Sequence, residues 1–597
     1  MGRKLKTTNP FKDIDNSFTK TVTFIGEEQA KRMGRKYCLL ESDSVVINDY
    51  PCKGRKTALY RIKALKNFEL NFVIYRKSSA GRRTVLDGEL GGYVESEDNL
   101  SQEGAAWIFD DARVYGDARV WGNALVYDRA KVFDHALVRE NAHVYGNTQV
   151  YQKAEVFGNA RVYDYARIRG RSKVYDQANV YGNAQIHEDR IFEAEDFDRI
   201  MEEEAEDGVT YCWPEVFGKA QVYENAEIFG RTLVSGESQV HGNSVLEEVE
   251  ICGSAKTYGN AHVYGSKISD FAKAEGNVQI CRSKISDVVT VEGNAEIYDS
   301  EASGQCHVFG TATVENVKLF DGASIFDNAF VKNSVVSGGD IYGNAHVQDS
   351  KVGPRAFIFD EACVSDSWVL ESSRVFGNAF VQYCVLTQAS QVFGGAYVKV
   401  YGGADKPILL SAGALVAGKA FIRNRDDVFQ ISNVGEEFGT LTAYKTTFDT
   451  IEITKGHFLG STEDLKKIIN TSYPPESKIK RTYEAILKMI SVRFEPTDET
   501  DRDQKGEDYY GSRCWERMEA EIVEEKEKLQ QRDPQENNSI YRNIWSQTDY
   551  WYNAKGSLVS DIENFDIKTG EDIEDIYLDK KRKKTLAERL EEDYGIR

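Results

Sequence analysis

No apolar run in this sequence approaches the roughly 18 residues that a membrane-spanning helix needs, which excludes a helical membrane protein. The opening residues, M-G-R-K-L-K-T-T, contain no apolar stretch of signal-peptide type, and Lys6 breaks the myristoylation pattern. Cysteine is sparse: nine residues, scattered, with no C-x-x-C pair. That excludes a disulfide framework and a cysteine-based metal cluster, and Cys212, Cys281, Cys363 and Cys384 read as small strand residues. There is no P-loop, no G-x-S-x-G, no H-E-x-x-H and no spaced Cys/His set. Positive charge is short, with 75 basic against 96 acidic residues and a formal net charge of -21. Nonspecific nucleic-acid binding needs the opposite balance, because it neutralises phosphates. These absences point to a soluble protein of a reducing cytoplasm, with neither metal nor cofactor.

What is present is a period. Every sixth residue from Val114 to Ile186 is Val or Ile, at thirteen of thirteen positions, and the residue two before each is Ala, Ser or Thr. Side chains alternate across a strand, so in A-x-V the small and the branched residue face one way and the next residue, usually aromatic, faces the other. Gly-Asn or Asp-x follows and suits a tight turn, since these residues tolerate positive φ or bond their own backbone. One short strand and one turn every six residues make one side of a β-solenoid coil. Three sides give an 18-residue coil. After Leu246 the steps become five, six, six, a 17-residue coil with one side shortened, traceable from Ile251 through Leu386. The whole array amounts to about fifteen coils.

The chain divides into an N-terminal segment 1–56, an N-terminal cap 57–111, a β-helix 112–425 interrupted by an acidic insertion 188–213, an α+β domain 428–494 and a charged helical C-terminal region 495–597. The insertion has loosely helical apolar spacing. Ser461 or Thr462 caps a helix in the α+β domain. Y-R-I-K-A-L, then G-E-L-G-G-Y-V-E-S-E-D-N-L-S, then repeated A-x-V-x-G-N, resembles the YdcK-like hexapeptide-repeat proteins found in bacteria, phages and prophages. The resemblance covers residues 57–425. It implies a single-stranded left-handed β-helix related to the LpxA-like acyltransferases. The fold expected is thus an all-β solenoid, a three-sided left-handed parallel β-helix with 18- and then 17-residue coils. Where that family's motif prefers a small or acidic residue after the Val, this chain has aromatics.

Outward residues one coil apart should stack. Tyr127, Tyr145, Tyr163 and Tyr181 form one ladder; Tyr115, Phe133 and Tyr151 a second, broken by Arg169; Trp121, Arg139, Phe157 and Tyr175 a third. In the 17-residue coils, one side carries small outward residues, one carries polar ones, and one carries Tyr258, Glu275 and Glu292 and then, without interruption, Phe309, Phe326, Tyr342, Phe359, Phe376 and Phe393. Six outward aromatics exceed the apolar patch normal for a monomer. They mark an interaction surface, covered by the C-terminal region, by a second copy of the chain in a dimer or trimer, or by a foreign protein or glycan. His143, His262, His307 and His346 occupy the x of A-x-V and read as surface residues without catalytic company. The function these features favour is a non-enzymatic scaffold or binding protein, phage- or prophage-encoded, holding a protein partner. The alternatives are an LpxA-like acyl- or sugar-modifying transferase, a glycan-binding tail or fibre component of a virion, and an acidic DNA mimic that inhibits a host enzyme.

Overall fold

The computed structural model describes residues 22, 24–48, 56–70, 83–188, 213–400 and 407–495. They form two compact units: the first comprises residues up to 432 with 444–448, the second 433–443 with the described residues from 449 onward. The first unit is a parallel β-solenoid of about 17 turns, somewhat more than the sequence period suggested. The coils run from the one that begins at Trp107–Ile108 to the one that contains Leu415–Val416.

Three parallel sheets make the three sides. Each strand is two to four residues long and pairs with its counterpart one coil away, as Arg161–Val162 does with His143–Val144 and Asn179–Val180. The small and branched residues of A-x-V all point inward: Ala160, Val162, Ala178 and Val180 are fully buried. The core is therefore a single stack of Ala, Val and Ile running the length of the coils. The insertion does not disturb the register, because Lys173, Asn179 and Gln185 pair directly with Glu215, Gln221 and Glu227. Residues 189–212, where the acidic helical spacing was read, lie outside the described residues.

The corners explain the sequence punctuation. Left-handed backbone falls mostly on Gly or on Asp/Glu: Asp128 (φ 60°), Gly146 (76°), Asp164 (60°) and Gly182 (67°) succeed one another at one corner. Each acidic residue there accepts a hydrogen bond from the glycine N–H of the next coil, Gly146 to Asp128 at 3.2 Å and Gly182 to Asp164 at 3.2 Å. At Gly242 a Cβ would sit 2.4 Å from the Gly259 carbonyl, so close approach as well as φ demands glycine.

The shortened side has its own device. Removing one residue from a corner leaves an N–H that the usual turn no longer satisfies. A buried serine from the preceding coil accepts it: Ser283 N–H bonds Ser266 Oγ, Ser300 N–H bonds Ser283 Oγ, and Val317 N–H bonds Ser300 Oγ, at 3.0–3.1 Å. The row resumes at Ser334, Ser350 and Ser367. Each hydroxyl in turn donates to the carbonyl two residues back, as Ser283 does to Cys281 at 2.8 Å.

Both ends of the stack are sealed. At the N-terminal end, Tyr37–Ile47 pairs antiparallel with Thr57–Ala64, which pairs with Leu90–Val94, which continues into the first parallel strands. The capping sheet thus takes in Tyr37–Ile47 as well as Thr57–Ala64 and Leu90–Val94. Trp107 is buried as a plug, and buried Asn99 donates to the carbonyls of Gly116 and Ala118. Lys36 donates to the carbonyls of Glu103 and Ala106 at 3.2 and 2.9 Å; burial first, then neighbouring Lys66, pulls its ammonium pKa down to about 7. At the other end, buried Asp427 accepts from the N–H groups of Arg423 and Asn424 and pairs with Lys445 at 2.9 Å, while Tyr444 fills the core.

The second unit holds the antiparallel pair Ile451–Lys455 and Phe458–Ser461, then helices Thr462–Ser472 and Lys478–Arg493. Ser461 is the N-cap of the first helix, in a reciprocal capping box with Asp464. The linker, the charged helices and the aromatic tail read after residue 495 lie outside the described residues.

Val162→Asp places an unpaired charge in a dry core and is expected to cost more than about 4 kcal/mol. Ser283→Ala orphans the buried Ser300 N–H and is expected to cost about 1–3 kcal/mol. Thermal melts by circular dichroism check both, and an unchanged midpoint for either would count against the corresponding assignment.

Candidate functional site: the aromatic face

The strand register places Tyr127, Tyr145, Tyr163 and Tyr181 on the same face as Phe309, Phe326, Tyr342, Phe359, Phe376 and Phe393. The sequence period showed two ladders; the structure joins them. Tyr223 and His241 join Tyr181 to Tyr258, and Glu275 and Glu292 follow before Phe309, so the face carries one outward row interrupted only by two glutamates. The insertion and the change of period had hidden this continuity, because each shifts the residue count without shifting the coil.

The rings stack on one another. Tyr127 to Tyr181 stack at centroid distances of 4.6–4.9 Å with planes within 4°. From Phe309 to Phe393 the spacing is 4.7–4.9 Å with planes within 3°. That spacing is the distance between hydrogen-bonded strands. Each ring therefore covers its neighbours' faces and turns an edge outward, and all ten named rings are half-buried. Burial also raises the hydroxyl pKa of Tyr145, Tyr163 and Tyr181, in each case as the main cause.

The two halves differ in chemistry. From Tyr127 to Tyr258 every aromatic carries a polar atom at its tip, a phenol or the imidazole of His241. From Phe309 to Phe393 five of six are Phe. At the junction, the Tyr258 hydroxyl donates to the Glu275 carboxylate.

The other two faces are occupied differently. Tyr115 and Phe133 stack at 5.1 Å and are buried under Ile47, Leu59 and Tyr93 of the cap. On the third face, Arg139 lies over Phe157 at 3.8 Å and Phe157 stacks on Tyr175. The insertion leaves the coil between Glu188 and Trp213, and Arg171 ties the two: its N–H donates to Glu188 and its guanidinium lies 3.9 Å over the Trp213 ring.

Of the four histidines read as surface residues, His262 and His307 are exposed and His346 is half-buried. His143 corrects that reading: it is 2% exposed, in the row of buried Trp107 and Leu125, with Tyr127 edge-on at 6.1 Å. Burial first, then the nearby Arg161 charge, pushes its pKa down to about 4. The sequence reading also missed His187, whose Nε2 lies 2.7 Å from Glu227 and whose Nδ1 lies 2.9 Å from the Glu188 carbonyl. With both ring nitrogens engaged, it has none left for a substrate proton. Among the described residues no group of three His, Cys, Asp or Glu could hold a metal ion, and no helix is long and apolar enough to cross a membrane.

Because the folded His143 pKa lies below its ordinary 6.5, the unfolded chain binds the extra proton. The stabilisation is present above pH 6.5 and is lost as pH falls towards 4. His143→Leu, which matches Leu125 one coil away, is expected to fold and to flatten the melting midpoint across that window. A slope identical to wild type would remove His143 as its source.

With the coils and the face described, the comparisons can be placed. The family model for the YdcK β-solenoid repeat matches residues 112–128, which form the first regular coil after the cap. No curated protein matches the chain. Residues 112–128 thus match the YdcK β-solenoid repeat, and they lie in a parallel solenoid of about 17 turns.

Proposed function

We propose that the chain is a non-enzymatic β-helical scaffold that holds a protein partner through its faces and its C-terminal region. The observation that carries this reading is the sorting of the outward surface: one face presents an aromatic row from Tyr127 to Phe393, broken by two residues only. A regular, rigid row of half-buried rings suits recognition along a line, and a β-solenoid fits such a role. The acidic balance favours a protein partner over nucleic acid. A cytoplasmic location and a phage or prophage origin belong to the same proposal; the origin rests on the resemblance of the cap and repeats to YdcK-like proteins.

The glycan-binding reading is weaker because sugars stack on ring faces, and here the faces are turned towards each other. The transferase reading draws no support from the two buried histidines: His187 is doubly engaged and His143 is shut in the stack.

The test is affinity capture on the full tagged chain from a bacterial lysate, followed by gel filtration and cross-linking mass spectrometry. The expected result is a stoichiometric protein complex whose cross-links fall on the aromatic face. A second arm is a thermal-shift series with acyl-CoAs and nucleotide sugars, where no concentration-dependent stabilisation is expected. Turnover of either class, or cross-links confined to other faces, would overturn the proposal.

A further inference from the structure

We propose that the phenylalanine half of the aromatic face is the seam of a two-fold, antiparallel dimer of this chain, centred on the coil that carries Phe357 and Phe359. This deepens the scaffold reading by naming one partner, a second copy.

The first support is a comparison the molecule makes with itself. Two halves of one face share the same strand spacing, the same stacking and the same half-burial, yet one ends in phenols and an imidazole and the other, Tyr342 excepted, in bare ring edges. A solvated ladder is served by Tyr, whose hydroxyl meets water, whereas a ladder meant to be covered does better without it. The second support is the period. Six rungs spaced 4.7–4.9 Å apart offer equal contact only to a surface with the same repeat. A second copy of this face has it.

The third support is charge. Alongside the aromatic row runs the x position of each strand: His307, Ser324, Asp340, Phe357, Arg374 and Gln391. An antiparallel two-fold about Phe357 sets x row against x row and aromatic row against aromatic row. It brings Asp340 of one copy opposite Arg374 of the other, twice. The two rows hold one acid and one base, so the chain's net charge of -21 is not concentrated on the seam. Centred on Phe359, the two-fold sets five rungs, Phe326 to Phe393, against their counterparts; two rows over five rungs, with the flanking corners, bring about twenty side chains to the contact, within the usual range for one side of a specific interface. Closure by a two-fold also leaves no apolar row open for further association.

The experiment is sedimentation equilibrium on the purified full chain, with circular dichroism confirming the fold of each variant. Wild type is expected to sediment at twice its 67.4 kDa mass. Phe359→Glu is expected to give monomers, and Tyr163→Glu on the phenolic half to leave the dimer intact. Asp340→Arg, a substitution at the surface that does not touch the core, is expected to weaken the dimer about tenfold or more, and adding Arg374→Asp to restore it. A wild-type chain that is monomeric at every concentration, a dimer indifferent to Phe359→Glu, or a double reversal that fails to rescue would each overturn the proposal. If the purified chain is monomeric but still captures another protein on this face, the dimer falls and the scaffold reading stands.

Discussion

The hydrogen bonds between successive coils set nearly everything else. Each strand is too short to be stable alone, and its N–H and C=O groups are satisfied by the coil before and the coil after. That pairing fixes the distance between equivalent residues at one strand spacing. Once the spacing is fixed, identical side chains must meet their own kind: valine on valine in the core, ring on ring outside, and serine on serine at the shortened corner. The aromatic ladder is thus less a collection of chosen contacts than a consequence of repeating one residue at one position of a hydrogen-bonded coil.

Corners are where the chain must depart from the strand, and there the sequence is most constrained. Gly and Asp/Glu exchange places at left-handed positions because they meet the same need differently. Glycine pays no Cβ penalty, while the acid tolerates the conformation and uses its carboxylate to hold the N–H of the next coil. The buried serines are a third answer, used where a corner loses a residue. Their hydroxyls replace a backbone acceptor that the shorter turn cannot supply.

The three sides, the inward rows and the change from 18- to 17-residue coils were legible in the sequence because they are periodic, and a period survives without knowledge of the fold. What was not legible came from outside the period. The union of the Tyr and Phe rows needed the register across the insertion, which pairings such as Asn179 with Gln221 supply. His143 looks like any x-position residue, yet it is buried in the row begun by Trp107, near the end that the cap covers. The His187–Glu227 pair joins residues forty positions apart and meets only because the insertion loops out between them. The buried serine row could have been found: Ser266, Ser283 and Ser300 stand in the alanine slot before each isoleucine or alanine of the short side.

The sealed ends of the coil stack bear on how such a molecule can change. Asn99 and Lys36 satisfy the first coil, and Asp427 with Lys445 belongs to the last, so neither end depends on how many coils lie between them. Loss or duplication of one whole coil would leave both termini chemically complete and the core continuous, whereas loss of half a coil would leave corner donors without acceptors. Length in this architecture is therefore a quantity that varies in whole steps, and the reach of the aromatic face is set by counting coils, not by redesigning them.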